Sequence, residues 1–249
     1  MSKRENAILN LLSEHGRMEV SALAQALGVS PVTVRKDLDG LEQRGVILRE
    51  HGYAVFGGQD DVNNRLAYHY EEKRRIAREA AKLVTAGDTV MIENGSCCTL
   101  LAEEIARTKP GTTIVTNSAF IASYIRRVEG ARVVLLGGDF QNDAQVMVGP
   151  ILKTCAANFY VRLLFVGADG YSGRLGFMAN DHLRVQAVRD MACQAERVMV
   201  VTESSKFDRT STVPLALPGG VYGVVTDGLI RPEAEKMLTD AGIRVYKAE

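Results

Sequence analysis

Ser30 to Leu38 read S-P-V-T-V-R-K-D-L, and this stretch has the makings of a helix start. The Ser30 side-chain oxygen can accept a hydrogen bond from an unpaired amide of the first turn. Pro31 suits the first helical position, where its fixed φ fits and its missing N–H is no loss. Val34, Leu38 and Leu41 recur at helical spacing and give one apolar stripe. Away from that stripe lie Val32, Thr33, Arg35 and Lys36. Two cations, a hydroxyl and small apolar groups at a helix start are what a helix entering a DNA major groove needs.

Upstream, Val20, Leu23, Ala24 and Leu27 follow the i, i+3, i+4, i+7 pattern of a short helix with one buried face. Gly28 reads as its left-handed end, leaving only Val29 before Ser30. Two short helices joined this way, over about residues 20–39, form a helix-turn-helix whose second member reads the groove. An earlier helix from Arg4 to His15 adds Ile8, Leu11 and Leu12 to the same small core. Gly45 ends the recognition helix, and Val46 to Leu48 read as a strand. Arg49 to Tyr53 are expected as a hairpin turn and Ala54 to Phe56 as the returning strand, a β-wing that offers Arg49 and His51 to phosphates. Bulk charge gives no support. Over residues 1–57, Lys3, Arg4, Arg17, Arg35, Lys36, Arg44 and Arg49 are matched by Glu5, Glu14, Glu19, Asp37, Asp39, Glu42 and Glu50.

On Arg4, Ile8, Leu12, Ser30, Thr33 to Leu38 and the central T-V-R-K-D-L, the first 57 residues resemble the DeoR family of bacterial transcription regulators. The resemblance implies a winged helix-turn-helix contacting DNA through Ser30, Pro31, Val32, Thr33, Arg35, Lys36, Arg49 and His51. One departure is H-G-Y-A at His51 to Ala54, where the family commonly has H-G-G-A. Tyr53 there either adds a phosphate or minor-groove contact or packs beneath the wing.

The whole chain has 249 residues, 46% of them hydrophobic, and a formal net charge of zero. That length suits one large or two modest domains with a real core, and the neutrality implies neither a polyanion-coating nor a membrane-surface role. The apolar runs fall short of the ~20 residues that span a bilayer, no signal peptide is recognisable, and a cytoplasmic protein is expected. Residues 1–57 are read as the DNA-binding domain, 58–72 as a linker around the polar Gly57 to Asp61, and 73–249 as an α/β domain. Asn63 to Val84 reads as a helix, whose cations Lys73, Arg74, Arg75, Arg78 and Lys82 are expected on a solvated face.

From Asp88 onward short apolar runs alternate with amphipathic stretches. Thr89 to Ile92, Thr113 to Val115, Arg132 to Leu136, Leu163 to Val166, Val198 to Val201 and Val221 to Val225 are nearly continuous in hydrophobicity, as strands buried on both faces of a parallel sheet are. Leu100 to Arg107, Phe120 to Arg127 and Leu183 to Ala195 read as intervening helices. The fold class is therefore α/β, an open and mainly parallel sheet behind the N-terminal helices.

Just past the strands stand Asn94-Gly95-Ser96, Thr116-Asn117-Ser118, Gly137-Gly138, Asp169-Gly170 and Ser204-Ser205-Lys206. In a parallel sheet those ends share one edge, where open α/β folds bind ligands. A helix starting near Ser96 presents free N–H groups to an anion, Lys206 adds a full positive charge, and Asp169 can accept from hydroxyls. Together they suit a small phosphorylated polyol. E-N-G-S (93–96), T-N-S (116–118), L-G-G (136–138), G-A-D-G (167–170) and S-S-K-F (204–207) also resemble the DeoR-family effector domain, itself related to ribose-5-phosphate isomerase and the coenzyme A transferases. That resemblance implies that Ser96 and Lys206 hold a phosphate while Asn117 and Asp169 address the sugar. Departures are Cys97-Cys98 after the serine, Glu203 for aspartate, and Leu183-Arg184 where glutamate is frequent. Arg184 either binds a second anion or pairs on the surface.

The four cysteines, Cys97, Cys98, Cys155 and Cys193, form no C-x-x-C pair, and His15, His51, His69 and His182 are scattered. No cofactor, metal or catalytic residue is expected. The expected partners are a double-stranded DNA operator, a phosphorylated sugar or related metabolite, and further copies of the chain as a dimer or tetramer. Two function classes follow: a ligand-responsive transcription regulator, with repression the family's usual sign, or a sugar-phosphate isomerase with a DNA-binding appendage. The second needs a general base, for which Glu93 or Asp169 is the candidate.

Overall fold

A computed structural model describes residues 3–43, 47–55, 65–66 and 68–249. The chain divides into two compact units, Met1–Glu71 and Glu72–Glu249. In the first, α1 (Lys3–His15), α2 (Val20–Leu27) and α3 (Pro31–Gln43) close on Ile8, Leu9, Leu12, Leu23, Val34, Leu38 and Leu41, all buried. Their apolar residues recur at helical spacing, so each helix turns one stripe inward. The Thr33 amide donates to Ser30 Oγ at 3.2 Å, which starts α3 where the cap rule puts it. Gly28 takes φ 65°, ψ 32° and ends α2.

The wing departs from expectation in register. Its strands are β2 (Leu48–Glu50) and β3 (Tyr53–Val55), paired antiparallel with Glu50 opposite Tyr53. Arg49 and Tyr53 are therefore strand residues, and the turn shrinks to His51-Gly52, with φ 41° and 88°. Positive φ at both central residues is the two-residue hairpin geometry whose twist matches the flanking strands. A third strand, β1 (Arg17–Glu19), joins on the other edge of β3, giving the order β1-β3-β2. Three residues between two helices are too few to show alternation, so β1 left no pattern in the sequence. Gly45, Val46, Phe56 and the Gly57 to Asp61 stretch lie outside the described residues.

The second unit opens with α4 (Tyr70–Ala81), shorter than the expected Asn63 to Val84 helix; residues 63 and 64 are outside the described set. Then β4 (Thr89–Ile92), α5 (Ser96–Thr108), β5 (Thr113–Thr116), α6 (Ala119–Ile125) and β6 (Arg132–Leu135) alternate. A hairpin follows, β7 (Asp139–Gln141) and β8 (Val146–Val148), then α7 (Pro150–Ala156) and β9 (Val161–Val166). A second small sheet is built from β10 (Gly170–Ser172), β11 (Gly176–Ala179) and β13 (Val213–Pro214). Between β11 and β13 lie α8 (His182–Ala192), β12 (Ala195–Val201) and a 3-10 turn, Ser204–Asp208. The chain finishes with β14 (Gly223–Asp227), α9 (Pro232–Asp240) and β15 (Arg244–Ala248). Ala195 begins β12 and does not end α8, a correction to the expected helix.

Seven strands form one all-parallel sheet in the order β15-β14-β12-β9-β4-β5-β6. All six apolar runs are in it. β15, with Arg244 and Lys247 in an edge strand, was not foreseen, because exposed edge strands need no continuous apolar run. β4 is bonded to β5 on one side and to β9 on the other. Successive strands thus proceed outward from β4 in one direction and from β9 in the other, and the order reverses between them. Met91, Leu164, Phe165, Val166, Val200 and Val224 are fully buried along this midline.

Phe165 lies in the central strand with no exposure. Phe165→Ala is expected to destabilise folding by ~3–5 kcal/mol through lost burial and a residual cavity. Urea denaturation followed by circular dichroism measures this, and a midpoint like that of the unmodified protein would contradict the placement of the core.

Candidate operator face and effector site

On α3, Pro31, Val32, Arg35 and Lys36 are exposed and Thr33 is half-buried, with Val32 71% exposed. Ser30 Oγ, besides capping α3, lies 2.8 Å from Thr33 Oγ1, so both hydroxyls have local partners. Arg4 is ion-paired with Asp37, tying α1 to α3 at a partly exposed site. The wing cation Arg49 is ion-paired with Asp39 of α3, so the side chain expected at a phosphate has an internal carboxylate for partner. Tyr53 is half-buried, with the Arg17 guanidinium 3.9 Å above its ring. Among the described residues Arg35 and Lys36 carry no ion pair. His51 at the hairpin tip is exposed as well.

The strand-end motifs do share one edge. After β4, Glu93 and Asn94 are buried, and Gly95 precedes α5 with φ 151°, a backbone conformation open to glycine. Asn94 Oδ1 accepts from Ser118 Oγ at 3.2 Å, and the same Ser118 oxygen accepts from the Ile121 amide at 3.1 Å, capping α6. The two loops on β4 and β5 are thereby tied together. Asn117 has no exposure. Its Nδ2 donates to the Met147 carbonyl at 3.2 Å, fixing the β7–β8 hairpin against the edge, while its Oδ1 has no hydrogen-bond partner among the described residues. Thr116 Oγ1 accepts from the Ser118 amide at 3.1 Å.

Across the reversal point, the Gly167 amide donates to Glu93 Oε2 at 3.3 Å. Asp169 Oδ2 accepts from the Asn180 amide at 3.2 Å, and Asn180 Oδ1 accepts from Arg184 Nη2 at 3.1 Å. Arg184 Nε is buried without a hydrogen bond and stands 3.8 Å from Asp181 Oδ1. Gly170 proves to be a packing glycine, since a β-carbon there would stand 2.6 Å from the Arg209 carbonyl oxygen. Gly137 lies against α7, where a β-carbon would meet Cys155 Sγ at 3.5 Å. Packing alone requires glycine at position 170, whereas at position 137 a β-carbon would make only ordinary contact.

Lys206 rides on the 3-10 turn, whose start is held by Asp227 Oδ2 accepting from the Ser204 amide at 2.8 Å. Phe207 anchors the turn by edge contacts with Tyr171 and Phe177, at ring separations of 5.8 and 6.1 Å. Arg209 Nε donates to the Asp169 carbonyl at 3.0 Å, drawing the turn to the loop after β9. Burial first, then the Arg209 charge, pull the Lys206 pKa below the ordinary lysine value, with Glu203 and Asp169 opposing. An ammonium in that position gains most from an added anion.

The sequence reading missed two members of this edge. Lys73 is 2% exposed, with Nζ 3.5 Å from Glu203 Oε2, not on the solvated face expected for the α4 cations. The signal was available, because Lys73, Ile76, Ala77 and Ala80 stand at i, i+3, i+4 and i+7, all buried. Counting charges along the helix hid the position of one of them. Arg209, an exposed loop residue, had no sequence signal. Cys97 and Cys98 are both buried, and burial pushes the Cys97 thiol up to about 12, with Glu203 adding to the rise. Among the described residues no group of three or more His, Cys, Asp or Glu side chains could hold a metal ion, and no helix is long and apolar enough to cross a membrane.

Residues 4–59 match the family model for the DeoR-like helix-turn-helix domain, and residues 68–228 match that for the DeoR C-terminal sensor domain. The glycerol-3-phosphate regulon repressor of Escherichia coli is 28% identical, covering 98% of each chain. A helix-turn-helix transcriptional regulator from Listeria innocua is 27% identical over 99% of this chain and 98% of its own. Among solved structures, ribose 5-phosphate isomerase A from Neisseria gonorrhoeae is 18% identical, with a TM-score of 0.42 over 55% of this chain and 53% of its own.

The burial of Cys97 sets a measurable order of thiol reactivity. A thiol whose pKa lies near 12 is protonated at pH 7–9, and only the thiolate attacks. Iodoacetamide on the native protein should therefore label exposed Cys193 first and leave Cys97 unmodified until unfolding. Peptide mapping that found Cys97 alkylated as fast as free cysteine would refute the assigned environment.

Proposed function

Because the chain belongs to the DeoR family of transcriptional regulators, we propose that it represses transcription from a double-stranded operator read by α3, under control of a phosphorylated sugar or related metabolite bound at the carboxyl edge of the parallel sheet. The observation that carries the effector half is the Lys206 ammonium. It is partly buried, has no ion pair among the described residues, and lies within electrostatic reach of Asp169 after β9 and of Cys97 at the start of α5. The Ser96 end of α5 supplies amides for phosphate oxygens, and Asn117 and Asp169 supply polar groups for sugar hydroxyls. The E. coli relative is named for a glycerol-3-phosphate regulon, which makes small phosphorylated polyols the first compounds to try.

On the operator side, Arg35 and Lys36 address base edges or phosphates, Val32 offers an apolar contact to a thymine methyl, and His51 approaches the backbone from the wing. The DNA-binding unit has no cationic surplus, so the working form is a cytoplasmic dimer or tetramer in which several copies of α3 add modest contacts across repeated half-sites.

Replacing Arg35 or Lys36 by Ala is expected to weaken operator binding by ~1–3 kcal/mol if either reads a base bidentately. Electrophoretic mobility shift at fixed salt measures it, and wild-type affinity in both variants would remove α3 from the groove. Lys206→Ala is expected to abolish the ligand response. In a thermal-shift screen of phosphorylated sugars, a ligand at ~100 times its Kd adds about 2.7 kcal/mol of stability to the parent protein and none to the variant. The pH dependence has a definite sign. An anion binds the charged amine, so affinity is full below the Lys206 pKa and declines as pH rises through it. That decline starts at lower pH than for an exposed lysine, since burial lowers the folded value. Equal affinity at pH 7 and pH 10 would show that Lys206 is not the clamp.

A further inference from the structure

Lys73 is the one lysine among the largest fully buried side chains of the described residues, and its burial is not incidental. It stands between Tyr70, Ile76 and Ala77 on the inward stripe of α4, so helical periodicity fixes the ammonium inside. Its carboxylate neighbour, Glu203, is also buried and sits directly before the turn that carries Lys206; the Glu203 carbonyl accepts from the Lys206 amide at 3.0 Å. Lys73 and Lys206 both act electrostatically on the Cys97 thiol, which adjoins Ser96 at the start of α5. The strand-end edge therefore holds two ammonium groups beside the Glu203 carboxylate, with Asp169 also acting on Lys206 and Asp227 on the Cys97 thiol. A phosphate arriving beside Lys206 repels Glu203 and attracts both lysines, which weakens the Lys73–Glu203 pair from both ends.

The place of Lys73 along the chain gives this a consequence. The compact units meet between Glu71 and Glu72, two residues before Lys73, and α4 is the helix through which the chain enters the sensor unit. Resting on the reading of this edge as an anion site, we propose that Lys73 is a second cationic residue of the effector site, and that its exchange of Glu203 for the bound phosphate transmits occupancy to α4. Two arrangements exist for one ammonium, paired with Glu203 or with the ligand, and the phosphate has different affinity for each. That difference is what coupling requires. Because the backbone hydrogen bonds of a helix are internal, a displacement at Lys73 is carried along α4 as a unit.

The test uses the full chain, an operator fragment selected from a random duplex pool, and inorganic phosphate, glycerol 3-phosphate and ribose 5-phosphate as probes. Two quantities are read: the probe Kd by calorimetry, and the ratio of operator Kd values with and without saturating probe. Lys73→Met alone strands a buried carboxylate, so the Lys73→Met/Glu203→Gln double variant, which removes both charges at similar volume, accompanies it. Thermal melting confirms that it is folded. The parent is expected to show a ratio in the usual coupling range of ~5- to 150-fold. In the double variant that ratio falls to near one and the probe binds more weakly, while Lys73→Arg retains a response. A double variant whose ratio and probe Kd match the parent overturns the role of Lys73 and leaves the anion site standing. Weaker probe binding with an unchanged ratio at saturation overturns the transmission step. A parent that binds none of the probes brings down the anion site itself, and this inference with it.

Discussion

Parallel strands cannot be joined by tight turns, so every connection within the seven-strand sheet has to climb back across one of its faces. Right-handed crossovers place successive helices on one face when strands are added in one direction and on the other when the direction changes. Here the change falls between β4 and β9, and the connections leaving those two strands part company at the carboxyl edge. In open α/β folds that reversal point is where a ligand crevice forms. Glu93 to Ser96 and Gly167 to Asp169 stand there because they are the first residues after β4 and β9. The location of the candidate site is thus a consequence of chain reversal before any side chain is considered.

Polar residues at the ends of apolar strands, such as Glu93, Asn94, Asn117, Ser118 and Asp227, are buried where they lose water, and each must then find a partner. The edge meets this with bonds between loops. Ser118 joins Asn94, Asn117 joins Met147, Glu93 joins Gly167, and Asp227 joins Ser204. Such a network ties the loops to one another, which lowers the ordering entropy that binding has to overcome. Asn117 Oδ1 is the acceptor left over, buried and without a hydrogen bond among the described residues. The buried Lys73–Glu203 pair belongs to the same class of problem. Its net stabilisation is small, since desolvation offsets attraction, but losing one partner is costly.

Patterns with a short period were legible in the sequence, and contacts between distant segments were not. The α3 start, the Gly28 stop and six sheet strands follow from local rules, and Ser30 caps Thr33 as the cap preference implies. β1 and β15 exist only through pairing with strands far along the chain, so their own residues carried no signal. The strand-end residues were legible as a set because parallel pairing puts all such ends on one edge. Their individual reasons were not. Gly170 is required by the backbone of Arg209. Lys73 shows the same limit from the other side, as charge composition pointed outward while helical phase pointed inward, and phase prevailed.

The internal pairing of cations also bears on how the DNA-binding unit works. Arg4 is held by Asp37, Arg49 by Asp39, and Arg17 lies over Tyr53. These contacts tie α1 and the wing to α3 and brace β1 against β3, but they occupy charge that could otherwise meet the phosphate backbone, where sequence-independent affinity arises. In the proposed reading, what Arg35, Lys36 and Val32 offer in its place is geometry at the groove. On that proposal a single copy with this balance would hold DNA weakly, and an assembly of several copies would gain affinity from their linkage. Such an arrangement is easy to regulate. When binding depends on several weak contacts made at once, a small change in the relative placement of the copies removes most of the gain. A coupling free energy of ~1–3 kcal/mol from one small ligand is then enough to decide occupancy.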